Sequence, residues 1–156
     1  MKKQMMLLIV AVLALTAMCF AQSTTEHKMV APEAIKWNPL WPGSEMAVLS
    51  GDPTKEGEPF VLRIKVAAGG KVPPHWHPTD EHLTIIKGSL YVGKGEKFDP
   101  SGGHHLTVGS YVLMPKKVPH FVWTKEDTIV QVHAIGPFLI NWINPADDPA
   151  KKASSN

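Results

Sequence analysis

The chain has 156 residues, 44% of them hydrophobic, with 16 Lys and Arg against 14 Asp and Glu for a formal net charge of +2, the size and balance of one ordinary globular domain. Both surplus charges are Lys2 and Lys3, so from residue 22 onward 14 basic residues face 14 acidic ones with no Lys/Arg run or stripe, which excludes a nucleic-acid or anionic-membrane footprint. With 14 Pro and 12 Gly, only residues 120–135 run beyond ten without either from residue 22 on, and helical bundles and wound α/β sheets are excluded.

At the N-terminus, Lys2 and Lys3 precede an uncharged run at 5–21 that ends in Cys19, Phe20, Ala21, the layout of a secretory signal peptide over residues 1–21. Its 17 residues stop just short of the roughly 18 to 20 that a membrane span needs, and no basic stop-transfer cluster follows. Cleavage after Ala21 is expected, giving a periplasmic or secreted protein with no membrane contact once processed. A lipid-bearing Cys19 is the alternative, disfavoured because Thr16, Ala17 and Met18 lack the usual Leu and the small residue beside the Cys. Cys19 is the only cysteine, so the processed chain has no disulfide and no thiolate ligand.

Residues 22–31 are polar and aperiodic and residues 147–156 are small, charged and Pro-containing, so both read as flexible tails around a body at 32–146. Within the body, short β-type runs are expected at 46–49, 60–66, 83–86, 90–92, 111–114, 121–123, 129–135 and 138–143. Many short strands at fairly regular spacing predict an all-β sandwich or barrel. In 60–66 the set Phe60, Leu62, Ile64, Val66 alternates with Arg63 and Lys65, the period of a sheet with one buried face.

The stretch from Gly69 to Gly88, GGKVPPHWHPTDEHLTIIKG, carries the chemistry. His75 and His77 follow Pro73 and Pro74, which disfavour helix; on extended backbone residues i and i+2 share a face, so both imidazoles converge. Pro78, Thr79 and Asp80 form a turn-like link that can bring the Glu81 carboxylate to the same place. A fourth ligand must come from a distant strand, and His120 is the best candidate because residues 115–119 (PKKVP) turn just before it.

Gly69, His75, His77, Glu81 and Gly88 fit GxxxxxHxHxxxExxxxxxG in register, and this stretch resembles the first motif of the cupin superfamily. Gly109, Pro115 and His120 match the second motif, GxxxxxPxGxxHxxxN, with Lys117 in place of its Gly and Thr124 in place of its Asn. The resemblance implies a cupin-type double-stranded β-helix, a jelly-roll barrel, with a metal inside held by His75, His77, Glu81 and His120. If the turn before His120 is kept, Lys117 sits at positive φ and bears about 1 to 2 kcal/mol of strain.

Three neutral imidazoles and a carboxylate suit one divalent first-row metal. The signal has no twin arginine, so the chain is expected to leave the cytoplasm unfolded and choose its ion outside. Copper or zinc is favoured there because affinity peaks at copper, while iron, manganese and nickel also suit the donor set. The formal +1 of ion plus carboxylate favours a small-molecule ligand with an anionic oxygen donor.

Gln131 and His133 share one face of 129–135, opposite Val130, Val132 and Ala134, and are the first pocket candidates for a general base. By alternation His82 points away from the metal, and His104 and His105, beside Gly102 and Gly103, read as loop. Trp76, between two inward ligands, faces outward against sheet or a subunit contact in a homodimer. An exported metalloenzyme is expected, a dioxygenase or an isomerase working through an enolate; the competing class is a non-catalytic metal and small-ligand binding or sensing protein.

Overall fold

Alternation makes the strands. In the third of them Phe60, Leu62 and Val66 are buried while Arg63 and Lys65 are partly exposed, and in the tenth Thr128, Val130, Val132 and Ala134 are buried between more exposed neighbours. The computed structural model describes residues 27–149 and 151; the apolar run at 5–21, the expected cleavage after Ala21 and Cys19 lie outside the described residues. Among the described residues the strands are β1 (Asn38–Trp41), β2 (Ser44–Ser50), β3 (Pro59–Val66), β4 (Lys71–Trp76), β5 (Glu81–Lys87), β6 (Ser89–Lys94), β7 (His104–Thr107), β8 (Tyr111–Met114), β9 (His120–Trp123), β10 (Thr128–Ile135) and β11 (Asn141–Trp142). No helix among them is long and apolar enough to cross a membrane.

The strands form two antiparallel sheets, one of six in the order β1-β2-β3-β10-β5-β8 and one of five in the order β11-β4-β9-β6-β7. Between them lies a core that includes Phe60, Leu62, Leu83, Ile85, Leu90, Val92, Met114, Val130 and Val132. The fold is mostly β and cupin-like, but it is not the expected closed barrel: among the described residues no ladder joins one sheet to the other. The edge strands are short, and the link where closure would begin is engaged elsewhere. The β7–β8 turn bonds back to β5, Gly109 N–H to Ile85 O at 3.0 Å and Ile85 N–H to Ser110 O at 3.1 Å. At the other edge β1 has four residues and loses register between Pro39 and Trp41.

Two further expectations change, and one strand was not foreseen. Residues 138–143 are extended over only Asn141–Trp142, because the backbone before them is used to hold the site described below. His104 and His105 lie on β7 and not in a loop, paired with Val92 and Tyr91. The strand β1 carries no sequence periodicity and Pro39 interrupts it.

Pro73 and Pro74 have no N–H to donate, so the β4–β9 ladder steps from Val72↔Val122 to His75↔His120 with a register shift between them. Three residues of β4 thus span two of β9. That extra residue is what lets Val72, His75 and His77 all line one cavity, since strict alternation would put Val72 on the face opposite both histidines.

Candidate metal centre

His75 near the end of β4 and His120 at the start of β9 are direct cross-strand partners in the five-stranded sheet. His77 follows β4, and Glu81 opens β5 in the other sheet. Between them Thr79 donates its hydroxyl to Ile135 O at 2.7 Å, and Asp80 accepts from Lys116 N–H at 2.7 Å. The four residues are 3 to 5% exposed. The site therefore straddles the gap between two sheets that no ladder connects.

Each imidazole is oriented by a backbone carbonyl. Nδ1 of His75 bonds Pro73 O at 2.7 Å, Nδ1 of His77 bonds Leu139 O at 2.8 Å, and Nδ1 of His120 bonds Val118 O at 3.1 Å. A carbonyl only accepts, so Nδ1 carries the hydrogen and Nε2 keeps its lone pair, the arrangement in which a metal-binding histidine is held. Potential ligand atoms of the three lie within 4.8 Å of one another, and Nε2 of His120 is buried with no hydrogen-bond partner. Such an orphan is costly unless something not made of protein satisfies it, and the residues present fit a cation. The chain has a three-histidine metal-binding site.

Nε2 of His77 and of His120 lie 3.4 and 3.6 Å from Glu81 Oε2. These are not ion pairs of a charged imidazole. Desolvation, joined by the neighbouring His120 and His77, pulls His75 down to about 3 against the opposing bond to Pro73. Desolvation likewise pulls His77 down to about 4 and lowers His120, so all three rings are neutral and ready to coordinate. Burial pushes Glu81 up to about 8; a cation beside it would reverse that and favour the carboxylate.

Phe138 stacks on His77 with centroids 4.6 Å apart and planes at 12°, and Trp142 lies 5.4 Å from His75. Together with the Leu139 carbonyl they make a strap after β10 that fixes two of the three rings. No sequence signal separates this strap from an ordinary apolar strand, and the sequence reading assigned it to one. The turn before His120 keeps the expected conformation, with Lys117 at φ 61, Val118 N–H bonded to Pro115 O at 3.2 Å, and Lys117 N–H bonded to His77 O at 2.8 Å. Thr124, where the motif has Asn, is buried and bonds Ser89 O, Glu126 O and the Thr128 hydroxyl at 2.9, 2.7 and 2.7 Å.

Gln131 and His133 lie elsewhere. They face the outer side of the six-stranded sheet, where Arg63 Nε donates to Gln131 Oε1 at 2.9 Å and Gln131 Nε2 contacts His133 Nε2 at 2.8 Å; their inward neighbours Val130, Val132 and Ala134 are buried. His82 also points outward and bonds the Tyr111 hydroxyl at 2.6 Å. The metal cavity measures about 50 Å³ and, apart from the three histidines and Glu81, is lined by apolar side chains and Trp41.

The ChrR Cupin-like domain family matches residues 25–139. Germin-like protein subfamily 1 member 3 of Arabidopsis thaliana is 37% identical over 75 residues, 47% of this chain and 30% of that protein, so the match spans less than a third of the relative's length. The polyketide cyclase RemF from Streptomyces resistomycificus superposes with a TM-score of 0.63 at 17% identity, covering 83% of this chain and 94% of that one. An oxalate oxidase structure gives 0.55 at 19% identity over 79% and 67%. At these identities the two structures share the fold alone.

Proposed function

The chain belongs to the ChrR cupin-like family, and we propose that it is an exported metalloenzyme, a dioxygenase or an isomerase working through an enolate, acting on a small oxygenated organic molecule. His75, His77, His120 and Glu81 are its ligands for one divalent transition metal, copper or zinc in its own compartment. The observation that carries the proposal is the buried triad, with every Nδ1 tied to a carbonyl and the lone pair of every Nε2 left over. Such an ion, when bound, supplies a Lewis acid for an anionic oxygen donor. The protein's part is to hold three neutral rings in fixed orientation, to complete the set with Glu81, and to keep bulk water out with an apolar wall.

A second reading, a non-catalytic protein that binds or senses metal, is favoured by the cavity's volume of about 50 Å³. The two separate by elemental analysis of protein from its native compartment, followed by oxygen-uptake and isomerisation assays of the metal-free form reloaded with each metal. Turnover of an enediol or catechol substrate with copper supports the dioxygenase. Turnover with zinc supports the isomerase, because zinc has no redox chemistry. Tight metal binding with no turnover of any substrate favours the second reading.

A further inference from the structure

A cavity of about 50 Å³ holds a few water-sized groups, far below the roughly 300–1,000 Å³ of sites that enclose a drug-sized ligand. Most of its wall comes from strands inside the two sheets, which cannot yield without breaking ladders on both sides. Trp41 is different. It is half-buried, it closes β1, and β1 is an edge strand paired only with β2. The ladder is irregular there: Pro39 pairs with Glu45, register is lost, and Trp41 pairs with Ser44 before the turn at Pro42 and Gly43. The same residue lines the metal cavity, an outer cleft of about 640 Å³ and a smaller one of about 170 Å³.

We infer that Trp41 is the gate of the metal site, its indole dividing the inner cavity from the large outer cleft and setting the size of the ligand that reaches the histidines. The inference rests on the metal-centre reading above. With the indole in place, the site takes compact ligands such as water, azide or formate. A larger organic acid or a catechol waits for the indole to swing toward solvent, a movement that breaks no ladder between interior strands. The cleft sets Lys65 and Lys87 against Glu45 and Asp127, and Lys65 is paired with Glu45 at 3.2 Å, so it sorts by size and not by charge. Phe138 is a poorer gate, since it is stacked on His77 and packed 5.4 Å from Phe60. Val66 also lines both the cavity and the large cleft, but it sits on β3 between β2 and β10 and cannot swing; Ile140 is the rival, because it lines the cavity and a separate cleft of about 350 Å³.

The test uses the full chain loaded with cobalt(II), whose visible absorption changes when a ligand reaches the ion, mixed rapidly with azide and separately with catechol. In the wild type azide should bind at least about tenfold faster than catechol, and Trp41→Ala should shrink that ratio to within about twofold with the azide rate unchanged, within the range over which association rates vary among variants of one site. Trp41→Phe should fall between, and it carries the test if Trp41→Ala does not fold. Cobalt bound with an unchanged ratio in both Trp41 variants overturns the gate, as does a ratio that collapses in Ile140→Ala alone. A wild-type chain that takes up no cobalt overturns the metal centre itself and the gate with it.

Discussion

The backbone N–H of Lys117 donates to the carbonyl of His77 at 2.8 Å. Among the described residues Lys117 is the non-glycine residue held at positive φ, 61°, so a strained turn holds the backbone of a metal-binding histidine. Positive φ costs a residue with a Cβ about 1–2 kcal/mol, and glycine gives part of that relief back through the larger entropy of its unfolded chain.

Lys117→Gly should therefore stabilise the protein by about 0.5–1 kcal/mol, raising Tm by a few degrees, with metal stoichiometry unchanged because the donated N–H remains. Lys117→Val should lower Tm, since a β-branched side chain resists this conformation. Thermal unfolding of the three proteins checks both signs. A less stable glycine variant would mean that the lysine side chain contributes more than the turn costs.

The pH dependence of the metal-free protein follows from two opposed groups. His75 and His77 titrate near 6.5 when unfolded and near 3 and 4 when folded. The unfolded state therefore binds more protons as pH falls below 6.5, and stability falls with it. Glu81 keeps its proton up to about 8 in the fold against an ordinary 4.5. Its contribution is fully present below 4.5 and is lost as pH rises through 8. Metal-free protein should be most stable near pH 6.5 as far as this cluster decides, and bound metal should remove the alkaline arm. Thermal scans from pH 5 to 9 with and without metal should show Tm values that diverge above 6.5. Glu81→Gln should flatten the alkaline arm of the metal-free protein while weakening its metal binding. Stability of the metal-free wild type that keeps rising through pH 8 would contradict the protonated Glu81.

Processing is tested by intact mass. Protein recovered from its own compartment should begin at Gln22, with or without cyclisation of that residue. A mass that retains Cys19 bearing lipid would place the protein on a membrane and restore a cysteine to the processed chain.

Much of the fold was legible because alternation is local. Residues 111–114 match β8 residue for residue, and 60–66 and 129–135 each fall one residue short of β3 and β10. The spacing of His75, His77, Glu81 and His120 likewise marked residues that the fold brings together. Other features depend on contacts the sequence does not encode at short range. Alternation separated Gln131 and His133 from Val130 and Val132 without saying which pair turns inward, and burial of the apolar pair decided it. The edge strand β7 was hidden because His104 and His105 follow two glycines, and its pairing comes from β6 across the sheet. Barrel closure failed for a similar reason, since the β7–β8 turn finds its hydrogen bonds on β5. The strap at 138–140 is apolar like a strand, yet the Leu139 carbonyl is used by His77.

The metal centre is tested most directly by metal content after equilibrium dialysis in wild type, His120→Ala and His104→Ala. His120 supplies the buried Nε2 that has no protein partner, whereas His104 lies exposed on the edge strand β7. Wild type and His104→Ala should each retain about one ion per chain, and His120→Ala should lose most of it, because a ligand removed from a coupled site costs affinity directly. Equal metal content in His120→Ala and His104→Ala would contradict the assignment of the site.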